Sequence, residues 1–336
     1  MKDIFIFGWI VLIAVEPIWS LSDERLKSLI NALNDTEPRF RAEAADELGA
    51  LGPNAKSAVP ALMRALTDGN SSVRTRVARA LGLIGATSEP AIPEMIKALH
   101  DESEYVSMRE ACAEALAKIS PADPVVIQAL EDSIHSKSSS VRAASVRSLG
   151  ALGPTAGTSF PKIRKALDDK DYSVRAQAVK AISKVMQKPE ITMPIFVDEL
   201  SDNYAVRREA AFALGQLGPM AKGAIPSLTK ALTEEQSKDG RPAAGWAISE
   251  ALARIGGDAI PELIQLLRHR DATVRVWAVY ALGKMGSGAE GALPQIVELN
   301  KDKSKAVRER AREAIERIHS HTRRNREDND LLWMKQ

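Results

Sequence analysis

Aromatic rings, cysteine, a charge excess and long apolar runs are all scarce in this chain, and each shortage narrows what it can be. Aromatics make up 4% of 336 residues, so large rings cannot dominate the core. Cysteine occurs once, at Cys112, which excludes an internal disulfide and a thiolate cluster for metal. Cys112 falls in an Ala/Val position of its segment and reads as a buried, inert thiol. Basic and acidic residues number 46 and 44, a net +2, which argues against a surface built to neutralise phosphates. None of the five histidines precedes a glutamate, and no metal-ligand spacing, P-loop or GxSxG elbow occurs. Gly286–Gly291 matches GxGxxG by letters alone, without the preceding strand that dinucleotide binding needs. No catalytic residue, cofactor site or metal site is therefore expected.

The apolar run at residues 4–15 is 12 residues long, short of the roughly 20 that span a bilayer. Ser20-Leu21-Ser22 follows, a small-x-small pattern suited to signal peptidase. Residues 1–22 are thus expected to be an export signal, with a retained N-terminal membrane anchor as the alternative. The predicted location is periplasmic or extracellular, or tethered at the N-terminus.

What the chain has in abundance is repetition. Val73-Arg74 leads to Leu81-Gly82, and the theme returns at Val141-Arg142, Val206-Arg207 and Val274-Arg275. The Leu position recurs at Leu48, Leu81, Leu116, Leu149, Ile182, Leu214, Leu252, Leu282 and Ile315, in steps of 30 to 38 residues. A period in that range means a solenoid of stacked helical hairpins. In seven units the first helix carries a Pro near its start, at Pro60, Pro93, Pro161, Pro194, Pro226, Pro261 and Pro294. A second helix follows a polar turn; in the second unit it is predicted over 73–84, capped by Ser71 or Ser72, with its first helix over 56–67. Second helices are predicted to start near Pro38, Ser71, Val106, Ser139, Tyr172, Tyr204, Pro242, Ala272 and Lys305. The seventh unit departs from the pattern: its linker is longer and Gly245 stands in the Arg position.

The unit xVRxxAxxALGxLGPxAxxAIPxLxxAL resembles HEAT repeats, in particular the PBS-lyase HEAT-like type, over residues 23–319. The resemblance implies an all-α, right-handed α-α superhelix of about nine hairpins, with second helices lining a concave groove. It points to a non-enzymatic scaffold that holds a protein or peptide. A lyase or other modifying enzyme of the PBS-lyase type is the first alternative. A nucleic-acid binder similar to HEAT-type DNA glycosylases is the second, with Trp246, Trp277 and Glu250 imitating a base pocket. Residues 320–336 are charged and aperiodic, and read as a disordered tail.

The recurring arginines (among them Arg41, Arg74, Arg142, Arg175 and Arg275) lie 5 or 6 residues after turn carboxylates such as Asp35, Asp68, Asp169 and Asp302. They are expected to form a ladder between neighbouring turns rather than an anion-binding stripe. With that Arg as the fourth helix position, positions 5, 9 and 13 face away from the buried stripe. In early repeats these positions hold small or charged residues such as Ala42, Asp46, Thr75 and Arg79. In repeats six to eight they hold Arg208, Phe212, Trp246, Glu250, Tyr280 and Lys284, with Trp277 alongside. Two readings stay open for these aromatics: a binding hot spot, or plugs around the irregular seventh repeat.

Overall fold

The computed structural model describes residues 18–234 and 244–333, and among them every regular element is helical. The chain divides into two compact units, one ending at Val126 and the other starting at Ile127. The first contains α1 (Ile18–Ala32), α2 (Pro38–Ala50), α3 (Val59–Ala65), α4 (Ser71–Ile84), α5 (Ile92–His100) and α6 (Val106–Ile119). Here α2, α4 and α6 pack in series, with α3 against α4 and α5 against α6. Helix α7 (Pro124–Ser133) spans the boundary.

The second unit contains α8 (Ser139–Ala151), α9 (Phe160–Lys165), α10 (Tyr172–Val185), α11 (Pro189–Asp198), α12 (Tyr204–Leu217) and α13 (Ile225–Glu234). It continues with α14 (Gly245–Ile255), α15 (Ile260–Leu266), α16 (Ala272–Met285), α17 (Leu293–Glu298) and α18 (Lys305–Trp333). The even-numbered helices stack in series, α8 through α18, and the shorter odd-numbered helices cover one side of them. The fold is an α-solenoid in which sequence neighbours are spatial neighbours.

Helix α4 shows why these residues fold this way. Val73, Val77, Leu81 and Ile84 recur at helical spacing and are at most 1% exposed. Each such burial contributes about 1.5–3 kcal/mol. Asn70 caps the helix, accepting from the Ser72 and Val73 N–H groups at 2.9 and 3.3 Å, so the cap lies one residue before the serines. Gly85 ends the helix at φ 82°, a conformation costly for other residues. The odd helices are shorter than the sequence pattern suggests. Gly52–Ala58 forms a 3₁₀ run, and α3 begins only at Val59. Pro60 lacks an N–H and crowds the carbonyl of residue 56, which blocks an earlier α-helical start.

Where Gly follows the Leu, at Gly49, Gly82, Gly150, Gly215 and Gly283, it allows close stacking. A Cβ on Gly82 would sit 2.7 Å from Ala115 Cα, and one on Gly150 2.8 Å from Ala181 Cα. The second helices begin at the predicted residues in eight of nine repeats; the seventh begins at Gly245, and Pro242 lies outside the described residues. Helix α18 runs on to Trp333, through part of the segment read as a tail. Its anchored half buries Val307, Ala311, Ala314 and Ile318, and no Gly or Pro follows to stop propagation. Of the expected export signal, residues 1–17 lie outside the described residues, while 18–22 belong to α1. No described helix is long and apolar enough to cross a membrane.

Candidate functional site

The turn ladder sets the frame on which the candidate site is hung. A ladder Arg does two jobs. In Arg41, Arg74, Arg142, Arg175 and Arg275, Nη1 donates to carbonyls of the Arg's own turn, and Nε and Nη2 grip a carboxylate in the next repeat, whereas Arg207 turns Nε and Nη2 to the Leu200 and Asp202 carbonyls. Arg142 donates to Ser136 O at 3.1 Å and to both Asp169 oxygens at 2.7 and 2.8 Å. Arg41 holds Asp68, Arg175 holds Asp202 and Arg275 holds Asp302 in the same bidentate way, and Arg74 holds Glu104. The guanidinium hydrogen bond, working against burial, keeps Asp68, Asp169 and Asp302 below the ordinary carboxylate range. For Asp202 burial is the largest influence and pushes upward, but Arg175 and the Asn203 N–H together outweigh it.

Between repeats seven and eight this rung is replaced at both ends. Gly245 stands where the Arg belongs, and His269 stands where the next carboxylate belongs. His269 Nδ1 accepts from the Asp271 N–H at 3.1 Å, as Asp302 accepts from the Ser304 N–H at 2.8 Å. The space an Arg side chain would take is filled by Trp277. A Cβ on Gly245 would lie 2.5 Å from its indole Nε1. The glycine is therefore required by the close approach of the indole. The longer linker and Gly245 were visible in the sequence; the matching change at His269 was missed, although aligning the turn residues would have revealed it.

The predicted groove residues lie on α12, α14 and α16. Position 5 is a tight slot in several earlier repeats: Ala42, Thr75, Ala143 and Ala176 are buried. It opens from repeat six onward. There Arg208 is half-buried and Trp246 is 40% exposed. Phe212 meets Trp246 edge-on with centroids 5.0 Å apart, and Trp277 meets Tyr280 the same way at 5.9 Å. The two sequence readings divide between residues: Trp277 plugs the missing rung, while Trp246 presents its indole to solvent.

Charges organise the remainder. The Glu250 carboxylate, 17% exposed, lies 3.3 Å from Lys284 Nζ and 3.7 Å from Arg254, and accepts from the Tyr280 hydroxyl at 3.3 Å. Glu209, 7% exposed, is held by Arg208 at 2.7 Å and by Lys180 at 3.3 Å. Arg310 and Lys284 lie over the Tyr280 ring at 5.4 and 5.8 Å, and Arg208 over Tyr204 at 5.7 Å. Glu250 is thus committed to its neighbours, and each indole packs against a different partner.

Elsewhere, burial pushes the Cys112 thiol up to about 12, so it stays protonated. Among the described residues no cluster of His, Cys, Asp and Glu could hold a metal.

A HEAT repeats family profile matches residues 26–106, 84–150, 134–198 and 237–316, and a PBS lyase HEAT-like repeat matches 206–234. No curated protein matches the chain. Among solved structures it is similar to importin beta in an ammonium sulfate condition: 17% identity, TM-score 0.65, covering 89% of this chain and 47% of that one. The Kap95:Nup1 complex matches at 17% identity and TM-score 0.65, over 92% and 49%. Yeast importin-beta (Kap95p) matches at 18% identity and TM-score 0.59, over 87% and 44%. The chain spans about half the length of these importin chains.

Proposed function

This chain belongs to the HEAT-repeat family, and from that premise we propose that it is a non-enzymatic scaffold that docks a protein or peptide. The dock is the face formed by Arg208, Phe212, Trp246, Tyr280 and Lys284, which the family resemblance puts on the concave side. One observation carries the reading: an indole 40% exposed sits among aromatics and cations in a chain where aromatics are rare. Exposed Trp, Tyr and Arg gathered in one patch are the residues that dominate interface energetics. A solenoid of the same fold, Kap95, is known in complex with Nup1, which supports protein docking as a use of this architecture. Fold likeness alone does not supply function, so the patch bears the weight.

The deciding experiment compares photo-crosslinking from Gln216, beside the patch on α12, with crosslinking from Val297, on the odd-helix layer, in the native host. A protein adduct from Gln216 that disappears in Trp246→Ala supports the dock. Equal adducts from both positions would remove it. The expected export of the chain belongs to the same proposal: N-terminal sequencing of native protein should start near Leu21 or Asp23, and a start at Met1 would refute cleavage.

A further inference from the structure

We propose that this face selects an acidic peptide segment carrying an aromatic or aliphatic anchor, a proposal that rests on the docking reading above. The charge inventory is lopsided in a chain of nearly balanced charge. Over α10, α12, α14 and α16 the only acidic residues are Glu209 and Glu250. Both are pressed into the floor and engaged by cations. The outward cations of the same helices are Lys180, Lys184, Arg208, Arg254 and Lys284. Their side chains reach outward: Lys180 is 46% exposed, Arg254 51% and Lys284 37%.

Over these four helices five outward cations against two carboxylates leave an excess of positive charge beside the apolar patch, bounded at α18 by exposed Glu309 and Glu313. The carboxylates hold part of the cation layer in place, so the heads are positioned before any ligand arrives. A partner with carboxylates flanking one large apolar side chain would complement both features at once. Its anchor would rest on the exposed Trp246 edge, and its carboxylates would meet Lys184, Arg254 and Lys284.

A polynucleotide is also an anion, but the rings here suit it poorly. Single-stranded binding relies on open aromatic faces for stacking. Here Phe212 and Trp246 meet edge to face, and Trp277 lies over Gly245. The cations are also few and partly neutralised, unlike a phosphate-tracking groove.

The test is a random 16-residue peptide-display library panned against the full chain, with a dT20 oligonucleotide measured in parallel. Enriched peptides should carry net negative charge and at least one Trp, Phe or Leu. The best synthetic peptide should lose about tenfold or more in affinity to Trp246→Ala. It should also weaken about tenfold with the double variant Lys184→Glu, Lys284→Gln, and that loss should shrink at high salt. Neutral or basic peptides that still depend on Trp246 would overturn the acidic preference while leaving the dock intact. Enrichment indifferent to Trp246→Ala, or none at all, would overturn both. Tighter binding to dT20 than to any peptide would replace the proposal with a nucleic-acid surface. A homodimer dissociated by Trp246→Ala would mean that a second copy occupies the face, and would overturn it too.

Discussion

Two junctions in the second unit solve one problem in different ways. Between α8 and α10 the turns are tied by Arg142 and Asp169, a bidentate ion pair whose side chains are 8% and 13% exposed. Between α14 and α16 that tie is absent, and an indole over a glycine takes its place. An ion pair holds two turns in fixed register through directional hydrogen bonds. An indole on a bare backbone fills the same space with non-directional contact. The second solution leaves α14 without a long side chain at Gly245, its first residue. On the same helix the next residue, Trp246, is 40% exposed. The difference teaches that the repeat tolerates losing a rung when both ends change together and a large side chain fills the gap.

The comparison can be broken from either side. Arg142→Ala should have the largest effect, about 3 kcal/mol, because it strands Asp169 and two turn carbonyls. An unchanged thermal midpoint would mean that the ladder is a solvated stripe. The ladder should also impose an acid limit. Its carboxylates titrate below their unfolded values, so their contribution is complete above the ordinary carboxylate range and is lost as pH falls through the depressed values. Acid titration of stability should therefore be shallower in Arg142→Ala than in the parent.

Trp277→Ala comes next, at about 2 kcal/mol, since the ring is half-buried and leaves a void over Gly245. Chemical denaturation would check it, and a loss as small as that of Trp246→Ala would end the plug assignment. Trp246→Ala should cost only about 1 kcal/mol in stability, mainly its edge contact with Phe212. A loss of several kcal/mol in its melting curve would show that Trp246 supports the fold and leave the dock without its central residue.

The smallest effect is expected at Glu199, on the opposite layer. It lines a pocket of about 490 Å³ with Asp168, Asp198, Arg164 and Lys165. Burial, then neighbouring Asp202, pushes its carboxyl up to about 7 despite Arg175. A carboxyl raised in the folded state favours folding at low pH and loses that contribution as pH rises through the folded value. Glu199→Gln should therefore raise the melting temperature slightly at pH 8 and leave it unchanged near pH 4. A shift of equal size at both values would show that proton linkage is not the cause.

Much of this was legible because the repeat makes local pattern and tertiary environment coincide. Leu81 and Leu149 mark the buried stripe, Gly82 and Gly150 mark close stacking, and the Arg positions mark the ladder, each by recurrence alone. The cap of α4 was read one residue late because Asn70 and two serines offer equivalent chemistry in sequence. The first helices were read too long, since a 3₁₀ run and an α-helical turn share the same small residues. The segment beyond residue 319 was set apart as a tail because it lacks an apolar period.

The sequence by itself determined the solenoid, the repeat boundaries and the odd character of repeat seven. Those follow from spacing, and spacing survives in one dimension because each repeat meets only its neighbours. Only the tertiary structure decided which aromatic plugs and which projects. Trp246 and Trp277 are equally apolar and both lie near the same face by position number. Their roles part because Trp277 finds a glycine backbone across the helix interface and Trp246 meets the edge of Phe212. That depends on what stands opposite, some thirty residues away, and no local pattern records it.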